Sequence, residues 1–262
     1  MEEKCPNRNP SPLCSVIIPA YNASRFITDT VKSVIAQTFP DWECIVVDDC
    51  STDNTFEIVS AIAENEPRLR VIQNSENMRV AKTRMAGVAA ARGKYVAFLD
   101  SDDMFVPEKL ERQISLLEST RSDFVCSSYE LVDENAEPLG IVSCVPSKIE
   151  QDDLLSENCI GCSTVVCNKN LILRHPFTDE FFHEDYVCWL GCVKDCGCIL
   201  GIEEPLVRYR FMQGTKSRNK LRSAYGVYSV YRKYCKMNLF KTAKYMLGYI
   251  KLKRRKYQSI MP

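Results

Sequence analysis

This chain lacks long apolar runs, a hydrophobic beginning and late acidic residues. No run of about 18 apolar residues occurs in the 262, so no segment can cross a bilayer as a helix. Residues 1–12 form a polar tail with Pro6, Pro10 and Pro12 where a secretory signal would be hydrophobic, which predicts a cytoplasmic protein. Residues 206–262 contain no Asp or Glu against 16 Lys and Arg. All 34 acids therefore lie in residues 1–205 beside 18 basic residues, a balance of −16 that the net charge of zero conceals. A basic end of this kind suits a surface that meets phosphates. Paired C-x-x-C motifs are also missing. Cys159-Ile160-Gly161-Cys162 stands alone, and Cys192, Cys196 and Cys198 cluster near the apolar run Val187-Cys188-Trp189-Leu190. The fourteen cysteines are therefore expected as reduced, small hydrophobes rather than a zinc site or a disulfide framework. With two histidines in the chain, His183 gives no basis for a metal assignment.

What is present is an apolar run that ends in charge. Tyr95-Val96-Ala97-Phe98-Leu99 stops at Asp100-Ser101-Asp102-Asp103, three carboxylates within four positions. A short run of β-formers ending so abruptly reads as a buried strand leading to a site. Carboxylates this close repel unless a cation neutralises them, and a hard divalent ion takes oxygen ligands of this type.

The run has company. Cys14–Pro19, Trp42–Val47 and Leu69–Gln73 read as further strands, the second also ending in a carboxylate pair, Asp48-Asp49. Helical spacing lies between them: Phe26 to Gln37, then a helix carrying Phe56, Val59, Ile62 and Ala63, then one from about Val80 to Ala91 stopped by Gly93. Ser51-Thr52-Asp53 offers the caps for the second. Strands alternating with helices predict an α/β fold with a mostly parallel central sheet flanked by helices. Such sheets bind ligands at the carboxyl ends of their strands, where both acidic groups fall. Later residues predict strands at 124–129, 139–142 and 164–167, a helix opened by Glu184-Asp185, two closing strands at 199–202 and 206–209, and basic helices at about 220–236 and 239–257.

Three segments together, Ser15-Val16-Ile17-Ile18-Pro19-Ala20-Tyr21-Asn22, Val47-Asp48-Asp49-Cys50-Ser51-Thr52-Asp53 and Leu99-Asp100-Ser101-Asp102-Asp103, resemble the family 2 glycosyltransferases of bacterial type. The resemblance covers residues 13–210 and implies a GT-A catalytic domain, with 211–262 as a basic helical extension. It implies a nucleotide-sugar donor, usually a UDP-sugar, with Mn²⁺ or Mg²⁺, and inversion at the anomeric centre. By the same resemblance Tyr21, in the segment Pro19-Ala20-Tyr21-Asn22, lies against the base. Asp49, with Asp48 beside it, reads the uracil edge. Arg84, in Asn77-Met78-Arg79-Val80-Ala81-Lys82-Thr83-Arg84, touches the nucleotide; Asp100, next to Ser101, binds the ribose, and Asp102 the metal. Asp185 resembles the base that activates the acceptor, with Glu184 as second choice. Arg79 and Cys50 stand where the family often has Gly, and Met85 where it often has Asn.

Leu239, Phe240, Ala243, Met246, Leu247 and Ile250 form an apolar stripe beside Lys241, Lys244, Lys251, Lys253, Arg254, Arg255 and Lys256. A helix of this kind can lie on an anionic leaflet, which suits a saccharide or lipid-linked acceptor and a peripheral place on the inner face of the cytoplasmic membrane. Two rivals are weaker. A nucleotidyltransferase needs a Gly-rich phosphate loop after its first strand, and Pro19-Ala20-Tyr21-Asn22 is not one. A nucleic-acid-binding protein would use the basic tail, but the acidic body opposes it, so no nucleic-acid partner is expected.

Overall fold

The computed structural model describes residues 11–212 and 220–260; residues 1–10 of the N-terminal tail and residues 213–219, with Lys216 and Arg218, lie outside it. Strand β1 (Cys14–Ala20) leads through α1 (Ile27–Ile35) to β2 (Trp42–Asp48), through α2 (Thr55–Ala63) to β3 (Leu69–Gln73), and through α3 (Arg79–Ala90) to β4 (Tyr95–Phe98). Every residue of β1, β2 and β4 is buried, which is why these segments read as unbroken apolar runs. The four strands lie parallel in the order β3-β2-β1-β4. The chain moves outward from β1 to β3, then returns to the other side of β1. That reversal leaves a crevice beyond the carboxyl ends of β1 and β4.

Past β4 the sheet is mixed. The chain continues through β5 (Met104–Phe105), α4 (Lys109–Thr120), β6 (Phe124–Val132), β7 (Pro138–Ser143), β8 (Lys148–Ile149), α5 (Gln151–Ser156), β9 (Val166–Asn168), α6 (Lys169–Arg174), α7 (Glu184–Cys196) and β10 (Ile199–Arg210). Strand β9 inserts antiparallel between β4 and β6, and β10 runs parallel to β6. The parallel arrangement thus holds for the first four strands, and short strands add antiparallel partners beyond them. The two closing strands expected at 199–202 and 206–209 are one strand, whose register shifts around Pro205. Proline has no N–H for the ladder, and a bulge accommodates it.

Alternation along the strands divides the core in two. Ile17, Val47 and Phe98 face α3, α6 and α7, whereas Val16, Ile18, Val46 and Leu99 face α1, α2 and α4. Helix α3 lies close to the sheet at Gly87, where a Cβ would stand 2.4 Å from Ile17 Cγ2. Gly93 is a correction. It does not stop the helix, which ends in extended backbone at Ala91. Instead a Cβ at Gly93 would meet the Ser15 nitrogen at 2.8 Å, so its role is close approach to β1.

The extension shares this core. Helices α8 (Lys220–Ser229) and α9 (Leu239–Ile260) are joined by a π-helical turn, and Val227, Val230, Tyr231, Tyr245 and Tyr249 pack in the same cluster as Phe98 and Trp189. Tyr245 Oη donates to Asp152 Oδ1 at 3.0 Å, tying α9 to α5. The face of α9 that packs is Thr242, Tyr245 and Tyr249; Leu239, Phe240 and Leu247 of the expected stripe remain exposed. The side chains of Ile250 and of the basic residues after it lie outside the described residues.

Lys109 opens α4 as a fully buried cation. Its Nζ donates to Gln113 Oε1 at 2.6 Å and lies 4.1 Å from the centre of the Phe105 ring. Burial depresses its pKa to about 7. The unfolded chain binds this proton up to a much higher pH, so the stability cost grows as pH falls towards 7 and is complete below it. Lys109→Met should therefore raise the melting temperature at pH 6, with a gain that shrinks as pH rises from about 7 and is gone above about pH 10; thermal scans across that range test it.

Candidate active site

The crevice is built from loops that stitch one another together. After β1, Asn22 adopts φ 50°, and its Oδ1 accepts from the Thr52 nitrogen at 2.8 Å. The Asn22 nitrogen donates to Ser51 Oγ at 2.9 Å, and the Ala23 nitrogen to Thr55 Oγ1 at 2.8 Å. Pro19 and Ala20 end β1 in contact with β2, and the Ala20 carbonyl accepts from the Asp49 nitrogen at 2.7 Å. These bonds leave Tyr21 at the mouth, 50% exposed. The helix begins at Thr55 with Asn54 at its N-cap making no side-chain cap bond; Asp53, one residue earlier, accepts from the Thr55 nitrogen at 3.0 Å and from the Ser24 nitrogen at 3.1 Å.

The acidic pair after β2 divides its work. Asp49 turns both carboxylate oxygens to the loop before α3. It accepts from Asn74 Nδ2 at 2.8 Å, the Met78 nitrogen at 2.8 Å and the Arg79 nitrogen at 2.9 Å. Asp48 is fully buried; its Oδ2 accepts from the Ser51 nitrogen and Gln73 Nε2, and its Oδ1 has no partner. Cys50 and Arg79 both have left-handed backbone, φ 61° and 68°. The family's frequent Gly at these positions is thus replaced in sequence while the glycine-type backbone is kept.

Arg84 of α3 is the centre of the site. It is 4% exposed, yet its guanidinium reaches across the crevice. Nη2 donates to Asp100 Oδ1 at 2.6 Å, and Nη1 to Glu184 Oε1 at 3.1 Å. The Phe177 ring centre is 5.3 Å away, backed by Phe98 and Trp189. One side chain therefore connects α3, the end of β4 and the start of α7.

The acidic run after β4 is held by residues the sequence did not single out. Ser163 Oγ accepts from the Asp100 nitrogen at 3.1 Å and donates to Asp103 Oδ2 at 2.6 Å. The Arg210 nitrogen donates to Asp103 Oδ1 at 3.0 Å, and Arg210 Nε to the Asp102 carbonyl at 2.9 Å. Burial, then the neighbouring carboxylates, pushes the Asp103 carboxyl well above its ordinary range. Ser101 is fixed through its carbonyl, which accepts from Thr30 Oγ1 at 3.0 Å. Arg210 grips the main chain of Asp102 rather than its carboxylate, which burial and Asp100 push to about pKa 6. No motif announces Arg210 or Ser163; each reaches the run from far along the chain. Asp103 was visible only as the third acid.

Asp185, half-buried, sits next to Glu184 at the start of α7. Its Oδ1 accepts from the Tyr186 nitrogen at 2.7 Å. Glu184 is engaged by Arg84, which leaves Asp185 the more available acid. Burial, with Glu184 adding to it, raises its pKa to about 7 against the pull of the helix N-terminus.

A divalent ion fits this donor set in a limited sense. Among the described residues no three His, Cys, Asp or Glu side chains converge into a cage. The oxygen donors of Asp102 and Asp100 suit a hard ion that takes its other ligands from phosphate and water. The cysteines do not compete: Cys188 and Cys192 are core residues of α7, and burial pushes the Cys14 thiol up to about 12.

Residues 15–176 match the model of glycosyl transferase family 2. The chain belongs to this family. Two bacterial relatives extend the match. The putative teichuronic acid biosynthesis glycosyltransferase TuaG of Bacillus subtilis is 35% identical over 243 residues, 93% of this chain and 96% of that one. The Escherichia coli UDP-Glc:alpha-D-GlcNAc-diphosphoundecaprenol beta-1,3-glucosyltransferase WfgD is 36% identical over 219 residues, 80% and 81% of the two chains. Among solved structures, S. aureus TarS 1–349 with UDP-GlcNAc superposes with a TM-score of 0.70 at 25% identity, over 84% of this chain and 64% of that one. The architecture is accordingly GT-A and the protein is a glycosyltransferase.

Removing the central cation should cost this family 2 enzyme stability. Arg84→Met leaves two carboxylates facing each other, an effect of about 3 kcal/mol for a pair that keeps some solvent. Urea unfolding should show that loss, and adding Asp100→Asn should recover part of it.

Proposed function

We propose that this enzyme moves a sugar from a UDP-sugar to a hydroxyl of a saccharide or lipid-linked acceptor during surface polysaccharide assembly, with inversion and with Mn²⁺ or Mg²⁺. The observation that carries this reading is the meeting of Arg84 with Asp100 and Glu184, which brings Asp102 and Asp185 to the same edge of the sheet at which β1 and β2 end at Tyr21 and Asp48-Asp49. The names of WfgD, which uses UDP-Glc on a diphosphoundecaprenol-linked sugar, and of the TarS complex with UDP-GlcNAc support the donor and acceptor classes.

In this reading the uridine lies against Tyr21, and Asp49, with Asp48 beside it, meets the uracil N–H. Asp100 orients the ribose. Asp102, with Asp100 beside it, would hold the divalent ion, which supplies positive charge to the diphosphate. Arg84 aligns these carboxylates and contributes a second positive charge near the leaving group. Asp185 takes the proton of the acceptor hydroxyl as its oxygen attacks the anomeric carbon from the face opposite the diphosphate. A single displacement then inverts the centre. Such a base is worth about 10²–10⁴-fold.

Two experiments test this. Calorimetry should find UDP bound more tightly than GDP, with affinity reduced by EDTA or by Asp102→Asn; equal binding with and without metal would remove the divalent ion from the reading. For the base, the ionised form disappears as pH falls through about 7, so turnover should drop about tenfold per unit below it. Asp185→Asn should lose at least about 10²-fold in turnover while keeping UDP affinity. A carboxyl held at about 7 also costs stability increasingly as pH rises from its unfolded value towards 7. The variant should therefore be at least as stable as the native chain at pH 8. A fully active Asp185→Asn would move the role to Glu184 or discard it.

A further inference from the structure

We infer that α8 and α9 together form a surface that docks on an anionic lipid bilayer, with Phe240 and Leu247 entering its interfacial layer. The inward faces of both helices are accounted for: Ser223, Val227 and Val230, then Thr242, Tyr245 and Tyr249, are buried against the catalytic core. The outward faces are apolar. Leu221, Tyr225 and Tyr228 recur at helical spacing along α8, and Leu239, Phe240 and Leu247 project from α9 with Phe240 84% exposed. Side chains of this size left in water mark an interaction surface.

Charge selects the occupant. Lys233, Lys236, Lys241 and Lys244 are exposed among these residues, and no acid occurs anywhere in 206–262. The partner is therefore anionic and offers hydrocarbon. Leucine and phenylalanine beside lysine match the boundary between headgroups and acyl chains, and tyrosines suit its polar edge. A phosphodiester backbone would satisfy the lysines but leave Leu221, Leu239 and Leu247 in water.

The surface is also joined to the catalytic crevice. His183 Nε2 lies 3.1 Å from Ser223 Oγ on α8, which lies 3.2 Å from Tyr249 Oη on α9. His183 immediately precedes α7, two residues before Asp185. The elements that would rest on the lipid thus brace the start of the helix carrying the base. The inference goes beyond the donor reading and does not depend on it.

Flotation of the full chain with vesicles tests it. At low salt the protein should float with phosphatidylglycerol-containing vesicles at least about tenfold more than with pure phosphatidylcholine. Phe240→Ser with Leu247→Ser, and separately Lys241→Glu with Lys244→Glu, should each lower that partition at least about tenfold at unchanged melting temperature, because all four side chains are exposed. The inference falls if the native chain stays unbound, if both variants float like it, or if an RNA oligonucleotide binds in salt-sensitive fashion and displaces the vesicles. UDP affinity in the same samples reports on the donor reading separately.

Discussion

The arrangement of the site rests on one buried guanidinium. Arg84 is held out of water between Asp100 and Glu184, with Phe177 alongside it. Burying a cation is costly unless carboxylates meet it with good geometry, so its placement requires both partners. Those partners arrive from different parts of the fold, one at the end of a parallel strand and one at the first turn of α7. Their meeting at Arg84 therefore registers the end of β4 against the start of α7, which carries Asp185. It also separates the two adjacent acids of α7. Glu184 pairs with the guanidinium at 3.1 Å, while burial holds Asp185 at about pKa 7.

The loops around this clamp hold backbone strain. Cys50 and Arg79 occupy left-handed conformations that cost a residue with a Cβ about 1–2 kcal/mol. The surrounding bonds over-determine both loops: Asp49 holds the Arg79 nitrogen, and Asp48 holds the Ser51 nitrogen next to Cys50. Strain that persists under such constraint is typical of functional sites. Here it keeps a glycine-type path while presenting a thiol and a guanidinium at the rim.

The parts of the fold legible in the sequence are those where one physical requirement acts alone. Strands β1, β2 and β4 are buried on both faces, so composition reveals them, and the charge that ends them marks the ligand edge. The second half obeys several requirements at once. In β10 the prolyl residue interrupts the pattern while the strand continues past it as a bulge. On α9 the buried face is tyrosine and threonine, each polar enough to read as surface, while Leu239, Phe240 and Leu247 face outward. Gly93 resembles a helix stop because close backbone approach also demands glycine. Arg210 is legible from no local pattern, because its bonds to Asp102 and Asp103 span more than a hundred residues.

The two sides of the sheet then divide the chemistry. The parallel strands present Asp48 and Asp100, with Asp102 just beyond, at the edge suited to the nucleotide. The core that contains Phe98, Trp189, Tyr231, Tyr245 and Tyr249 supports α7, and with it Asp185. Substitutions that loosen Tyr245 or Tyr249 act on that second core and so disturb the position of Asp185 before they disturb Asp48 and Asp100. The inward face of the acid-free end therefore belongs to the same packed core as α7, the helix that begins with Glu184 and Asp185, while its outward face carries exposed lysines.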